Sequence, residues 1–417
     1  MAIARGSVQH TLPEDLRALV NSVVFPAKCA DRASRNERQT LHSAVHERFG
    51  MSNTIPFPYA RTGLHALLTA MRLPHGSKVL MTPITIGPML EVITSLGLQP
   101  EFVDIELDTF GPDLEELNRK LKCRPAVFLL TYLFGYVPDI SSIVSECDAA
   151  GVRLIEDFSH NIGSSVDGRP LGTFGDAGIY SASLLKYVDG YNGAFVITND
   201  ELLGQGLDRA SEQLIDPDPR RIQGSILKTL LWNIALNRYI FSIGTYPALA
   251  CLKTISRQRY DKLLDSTISL NLDINELPSY YFEDITSIQI RTILRHLIRL
   301  DQILMLRYEA ATIAYDALLE VTDTNGLLHC VQPNQMGKKQ TFWQFVIRVK
   351  NVGTARNNLF RNGIETGTTN LMDLANTCGV VLPNARALKS EHIFVPLHQH
   401  LLRGDYIRIF RALNSVN

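Results

Sequence analysis

This 417-residue chain has six cysteines and no pair of them in CxxC spacing: Cys29, Cys123, Cys147, Cys251, Cys330 and Cys378 are scattered singly, without Cys/His ligand spacing. That weighs against a disulfide framework and a structural zinc site, and it fits reduced, mostly buried thiols in a cytoplasmic protein with no metal. An excess of one charge is missing too, with 41 Lys and Arg against 42 Asp and Glu. No basic surplus points to nucleic acid and no acidic tract to a disordered tail, so a small-molecule substrate or a protein partner is expected. The N-terminal stretch MAIARGSVQHTLPEDL has no apolar core of a signal peptide. Long apolar runs are also lacking. The most apolar region, residues 226–255, is interrupted by Lys228, Asn233, Asn237 and Arg238, and Pro247 is expected to kink any helix there. It falls short of the ~18 uncharged residues a spanning helix needs. A buried helical pair or an oligomer surface is the favoured reading, with membrane-surface contact by 226–255 the lesser alternative.

What is present is 45% apolar residues in a chain long enough for about two domains. The most informative stretch covers residues 154–198. An apolar strand pattern (Val152, Leu154, Ile155) ends in Glu156-Asp157, with His160 one turn beyond. A second apolar run leads through Ser181 and Ser183 to a lone lysine, Lys186, in a loop before the strand pattern Ala194-Phe195-Val196-Ile197. An acid at one strand end and an amine after another are what pyridoxal 5'-phosphate (PLP) chemistry requires. The amine forms the Schiff base, and the carboxylate keeps the pyridinium nitrogen protonated so that the ring can accept electrons.

The preceding region supplies the frame. Continuous apolar strands near 78–83, 100–105, 126–130 and 152–157 alternate with helical patterns, which indicates an open, mainly parallel sheet covered on both faces. Ligands bind outside the carboxyl ends of such strands, where Thr85, Asp157 and the lysine loop fall. At Thr62-Gly63-Leu64 an apolar helix begins, and its free N–H groups and hydroxyl suit a phosphate; an ordinary helix cap is the simpler alternative for that feature alone. Residues 13–24 and 35–49 carry helical spacing without apparent catalytic groups. A long amphipathic helix is expected over 284–319, its Arg291, Arg295, Arg299 and Arg307 mostly on solvated faces and in salt bridges.

In this order the elements resemble the fold type I PLP enzymes, and among them the nucleotide-sugar aminotransferase family of the DegT/StrS type. The similarity covers about 59–198 and resumes at about 283. It rests on Thr62-Gly63-Leu64, Pro83-Ile84-Thr85-Ile86, Phe102-Val103-Asp104-Ile105, Glu156-Asp157-Phe158-Ser159-His160, the glycines Gly168, Gly172 and Gly175 before Asp176, and Ser181 five residues before Lys186. The resemblance implies an α/β fold: a seven-stranded-type, mainly parallel sheet at 51–200, preceded by a helical segment at 1–50. An apolar helical insertion at 201–278 and a long helix with a small α+β domain at 279–417 would complete the chain. It implies Lys186 as Schiff-base lysine and proton shuttle, Asp157 on the pyridine nitrogen, and His160 near the phenolic oxygen. Thr62, Gly63 and Ser181 would hold the phosphate, with Leu64 and Ile86 also beside the cofactor.

Four positions depart from the family pattern. Ile86 stands where a stacked aromatic ring is usual, and Tyr191-Asn192-Gly193-Ala194 replaces Gly-Glu-Gly-Gly. Ser279-Tyr280-Tyr281 replaces Asn-x-Arg, and Thr368-Thr369-Asn370 replaces the His-Tyr expected after the Gly-Ile-x-Thr of the C-terminal domain. The expected activity is a PLP-dependent aminotransferase, in a homodimer, passing an amino group from a donor such as glutamate to a keto substrate, with a nucleotide-linked keto-sugar as the family norm. A PLP-dependent lyase, β-replacement or carbon–carbon bond-forming enzyme is one alternative, and a non-catalytic binding protein of the same fold is another. Glu156 is expected to be structural, and His398 and His400 to serve structure or the substrate rim.

Overall fold

The structure, a computed structural model, describes residues 1–264, 276–321 and 336–415. Cys330, residues 265–275 of the expected insertion and the expected start of the final region near 332 lie outside the described residues. Two long helices lead in, α1 (Leu12–Val24) and α2 (Arg35–Phe49), with a short helical turn at Pro26–Cys29 between them. There follow β1 (Asn53–Phe57), α3 (Ala60–Ala70), β2 (Lys78–Met81), α4 (Gly87–Ser95), β3 (Gln99–Phe102), α5 (Leu114–Leu121), β4 (Val127–Thr131), α6 (Ile140–Ala150), β5 (Arg153–Asp157), β6 (Ala177–Ser181) and β7 (Ala194–Thr198).

These strands form one seven-stranded sheet in the order β1-β7-β6-β5-β4-β2-β3. From β6 to β3 all neighbours are parallel, and β7 alone runs against both β6 and β1. Every residue of β4 is buried, as a strand covered on both faces requires. Its side chains alternate between two cores. Val127 and Leu129 pack with Leu64, Leu67, Leu90 and Ile93 of α3 and α4, whereas Phe128 and Leu130 pack with Leu41, Val45, Leu117 and Ile143 of α2, α5 and α6. Truncating such a leucine to alanine costs about 2–5 kcal/mol.

Beyond β7 come α7 (Glu201–Glu212), α8 (Pro219–Leu236), a π-helical turn over Phe241–Thr245, and α9 (Tyr246–Ile255). The helix breaks at Asn237, whose side chain caps the next stretch by accepting from the Tyr239 and Ile240 N–H groups. Pro247 does not break it. The residue follows the widened π turn, which accommodates its missing donor. Helix α10 (Ser287–Val321) runs for 35 residues, about 52 Å. Its first half packs Ile290, Ile293, Leu297, Leu300 and Leu304 into the sheet core, and its second half packs Ala310, Ala311, Ala314, Ala317 and Leu318 among the C-terminal elements. Those elements are an antiparallel pair, β8 (Phe345–Arg348) and β9 (His392–Val395), with helices α11 (Val352–Arg361) and α12 (Arg403–Asn414). Three of the four arginines singled out on α10 make salt bridges: Arg291 to Glu37 at 2.6 Å, and Arg295 and Arg299 to Glu14 at 3.8 and 2.8 Å.

Candidate active site

Because β4, β5 and β6 are parallel and in register, their carboxyl ends emerge at one edge of the sheet, carrying Thr131, Asp157 and Ser181. The chain after β6 turns back over that edge and brings Lys186 with it. Thr85, Ile86, Thr131, Asp157, His160, Ser181 and Lys186 line one cavity of about 470 Å³. Among the described residues no salt bridge joins Lys186 to Asp157, so the amine and the carboxylate face the same space without closing on each other.

Each group is conditioned by burial. Lys186 has its pKa pushed down to about 7 because desolvation penalises the ammonium, an effect the Asp157 charge only partly offsets. Asp157 is pushed up by burial, against the Ser159 N–H and hydroxyl that donate to its Oδ1 at 3.0 and 2.5 Å and against the Lys186 charge. His160 is held well below its ordinary value by burial and by the neighbouring Lys186. It is therefore neutral, and since its Nδ1 accepts from the Phe134 N–H at 3.2 Å, the proton sits on Nε2. Ser181 donates its N–H to the Ser159 hydroxyl and its own hydroxyl to Ser183 at 3.3 Å. Glu156 takes no part in the cavity. It accepts from the Tyr132 hydroxyl and from the N–H groups of Gly172, Phe174 and Gly175, a structural anchor for the turn before β6.

The lysine loop is strained and firmly held. Leu185, Tyr191 and Asn192 have φ of +72°, +57° and +75°, each disfavoured for a residue with a Cβ. The Leu185 carbonyl accepts from the Trp343 indole N–H at 3.0 Å, the Tyr180 hydroxyl bonds the backbone of Val188, and the Asp189 N–H donates to His296. Glycine is required at 190, where a Cβ would lie 2.6 Å from Ile293 Cγ1.

The helix start at 62–64 needs correction as a cavity wall. Helix α3 begins at Ala60, which does line the cavity, and by residue 62 the turn has rotated away. The Thr62 hydroxyl donates to the Tyr281 carbonyl at 2.5 Å, the Gly63 N–H donates to the Tyr59 carbonyl, and Leu64 is fully buried in the core. Gly63 instead permits close packing, since a Cβ there would lie 2.7 Å from Val196 Cγ2. The aromatic pair at 280–281 shapes this end: Arg61 lies over the Tyr59 and Tyr281 rings at 4.0 and 4.2 Å, and the Tyr281 hydroxyl donates to Glu91 at 2.8 Å.

Several wall residues escaped the sequence reading. The N-terminal segment contributes Arg5, Gly6, Ser7 and Gln9, although nothing catalytic was expected before residue 50. Helix α8 contributes Lys228, Trp232 and Leu236, so the apolar region is part of the cavity wall and not only a separate helical pair. Arg307 is the one of the four arginines singled out on α10 that points inward, and its guanidinium donates to the carbonyls of Phe342 and Trp343. Trp343 stacks on His160 with ring centroids 3.8 Å apart, and the Lys186 Nζ lies 4.2 Å from its ring centroid. A usable signal existed, since the chain has only two tryptophans and both line this cavity. Asn192, Thr368 and Asn370, at the departures from the family pattern, also lie on its wall.

Residues 32–225 match the model of the DegT/DnrJ/EryC1/StrS aminotransferase family. GDP-perosamine synthase of Vibrio cholerae is 29% identical over 140 residues, 34% of this chain; the match spans 38% of that relative's length. A DegT DnrJ EryC1 StrS aminotransferase from Brucella abortus superposes with a TM-score of 0.71 at 18% identity, covering 97% of this chain and 95% of that one. The sugar aminotransferase CalS13 from Micromonospora echinospora gives 0.71 at 18% identity over 99% of both chains. The fold is thus the one that the motif resemblance implied.

Proposed function

With that family match as premise, we propose that the chain is a PLP-dependent aminotransferase, taking the amino group of an amino acid such as glutamate and delivering it to a keto substrate. The observation that carries this reading is the shared cavity of Lys186, Asp157 and His160 at the carboxyl edge of a parallel sheet. The residues fit the cofactor. A buried amine with a pKa near 7 is about half deprotonated, and so available as a nucleophile, at neutral pH, and a buried carboxylate already satisfied on one oxygen by Ser159 can pair with a ring N–H.

PLP, once bound, supplies an electron sink for the substrate's α-carbon. Lys186 would anchor it and, once released, would take a proton at Nζ and return it, a role suited to a group titrating close to the working pH. Asp157 would keep the ring nitrogen protonated, and His160, neutral with its proton on Nε2, would donate toward the ring's oxygen. Ser181, Ile86 and the first turn of α3 at Ala60 would bound the cofactor. The Trp343 ring and the α8 side chains would limit water around it.

The acceptor in this reading is a nucleotide-linked keto-sugar, in keeping with the sugar-processing relatives. The reading extends to a cytoplasmic homodimer. Leu16, Val20, Val23 and Val24 on α1 and Leu227 and Leu231 on α8 are exposed apolar side chains on two helices that pack together. Among the described residues no helix is long and apolar enough to cross a membrane. The test is direct. Protein loaded with PLP should be yellow, lose the colour with glutamate while releasing 2-oxoglutarate, and regain it with a keto acceptor. A coloured protein that instead eliminates or replaces a substituent on an amino acid would move the assignment to a PLP lyase or β-replacement enzyme.

A further inference from the structure

The mechanism above leaves unused a buried charged cluster directly behind the lysine loop. His10 is 4% exposed and lies between two buried carboxylates, its Nδ1 3.1 Å from Asp15 Oδ1 and its Nε2 3.4 Å from Asp189 Oδ1. Asp15 belongs to α1 and Asp189 to the loop, three residues after Lys186. Every neighbouring element adds a contact. Tyr191 donates its hydroxyl to Asp15 at 2.8 Å and its N–H to Asp189 at 3.0 Å. Asn233 of α8 donates to Asp15 and to the His10 carbonyl at 2.8 and 2.9 Å. His296 of α10 accepts the Asp189 N–H at 3.0 Å and meets the His10 ring edge-on at 4.6 Å.

The same N-terminal segment is tied down at its other end. Ile3 exchanges backbone bonds with Gly363 and Glu365, and Arg5 pairs with Glu365. Gly6, Ser7 and Gln9 therefore run between two anchors, one in the C-terminal region and one behind the lysine loop, and along the way they line the cavity.

We propose that His10 is a positioning residue: as a cation held between Asp15 and Asp189 it locks the N-terminal strap to the lysine loop, fixing both the direction of Lys186 and one wall of the cavity. The chemical reason is charge balance. A neutral His10 would leave two buried carboxylates without a counter-charge, a costly arrangement, whereas an imidazolium sets a positive charge 3.1 and 3.4 Å from one oxygen of each; the contact is ionic, since among the described residues neither ring nitrogen has a hydrogen-bond partner. Its surroundings agree. Burial works against the charge, but the nearness of Asp15 and Asp189 outweighs it and lifts the His10 pKa to about 9. His296 is driven down to about 4, by burial first and then by the His10 charge, with Arg299 adding a little and Asp189 and Glu14 working the other way, so it stays neutral and serves as acceptor. A group whose folded pKa is raised stabilises fully below its unfolded value and loses that contribution as pH climbs through the folded one. The lock should therefore be complete below about 6.5 and released through about 9.

The inference rests on Lys186 as the reactive amine only for its consequence; the lock itself can be read without cofactor. Amide hydrogen exchange of the cofactor-free full chain, corrected for intrinsic rates, tests it. In His10→Gln, peptides covering 1–10 and 183–193 should exchange about tenfold faster at pH 7, with peptides of β4 and β5 unchanged. Wild-type loop peptides should show a rise between pH 6.5 and 9 that shifts to lower pH in Asp189→Asn, the second variant should His10→Gln fail to fold. His10→Gln should also capture added PLP more slowly at pH 7. Unchanged loop exchange in His10→Gln, or a wild-type loop whose exchange shows no such pH step, would overturn the proposal. Failure of wild-type protein to take up PLP would overturn the aminotransferase reading and leave the exchange result to judge the lock.

Discussion

The two halves of the cavity wall have different origins. One half, Asp157, His160, Ser181 and Lys186, comes from within thirty residues of chain, on consecutive parallel strands and the loop that follows. The other half is gathered from the N-terminal strap, α8, α10 and the segment leading into β8, with members such as Arg5, Trp232, Arg307 and Trp343. In the proposed reading the first half holds the reacting groups. The second shapes the space, sets the burial that moves the pKa values, and decides what can enter.

If that division is right, the two halves should fail differently. Lys186→Ala should give the largest effect: no visible cofactor band after dialysis and a fall in turnover of about 10³-fold or more. Asp157→Asn should follow, with PLP still captured but turnover reduced by about 10²-fold, since the ring nitrogen loses its counter-charge. Because Asp157 raises the Lys186 pKa, the pH midpoint for PLP capture by the apo-protein, near 7 in wild type, should also move lower in that variant. Trp343→Ala removes the stack on His160 and the ring over Lys186, and should cost about tenfold in turnover. Trp232→Ala and Lys228→Ala should raise KM for the acceptor by about three- to tenfold while sparing the half-reaction with glutamate. An equal loss in both half-reactions would erase the distinction between the halves.

A stability measurement sharpens the same contrast. In the unfolded chain the Lys186 amine stays protonated to about 10.5, whereas in the fold it loses its proton near 7. Between those values unfolding takes up a proton, so this group's contribution improves as pH rises across the window. Lys186→Met should therefore stabilise the apo-protein most below pH 7, with the advantage shrinking toward pH 10.5, as read by thermal unfolding.

The same division explains what the sequence disclosed. The strand-end acid, the histidine one turn on and the lysine after the next strand are fixed by local pattern plus parallel topology, so they could be placed from residues alone. Thr62-Gly63 falls off the cavity wall because the helix starts at Ala60: the Thr62 hydroxyl is taken by the Tyr281 carbonyl, and residue 63 already bonds back to Tyr59. Arg307 is the exception that a mostly solvated set left room for. At 3.6 residues per turn it lies about 80° round the helix from Arg299 and about 160° from Arg291, so it leaves their face and meets the cavity. His10 carried no local signal, since its partners Asp15, Asp189 and His296 come from three separate elements.

Borohydride reduction of the PLP-loaded protein, followed by peptide mass mapping, tests the central claim most directly. The account predicts a single pyridoxyl adduct on the peptide containing Lys186 and none in Lys186→Ala. An adduct on another lysine, or a protein that binds PLP without any reducible linkage, would contradict it.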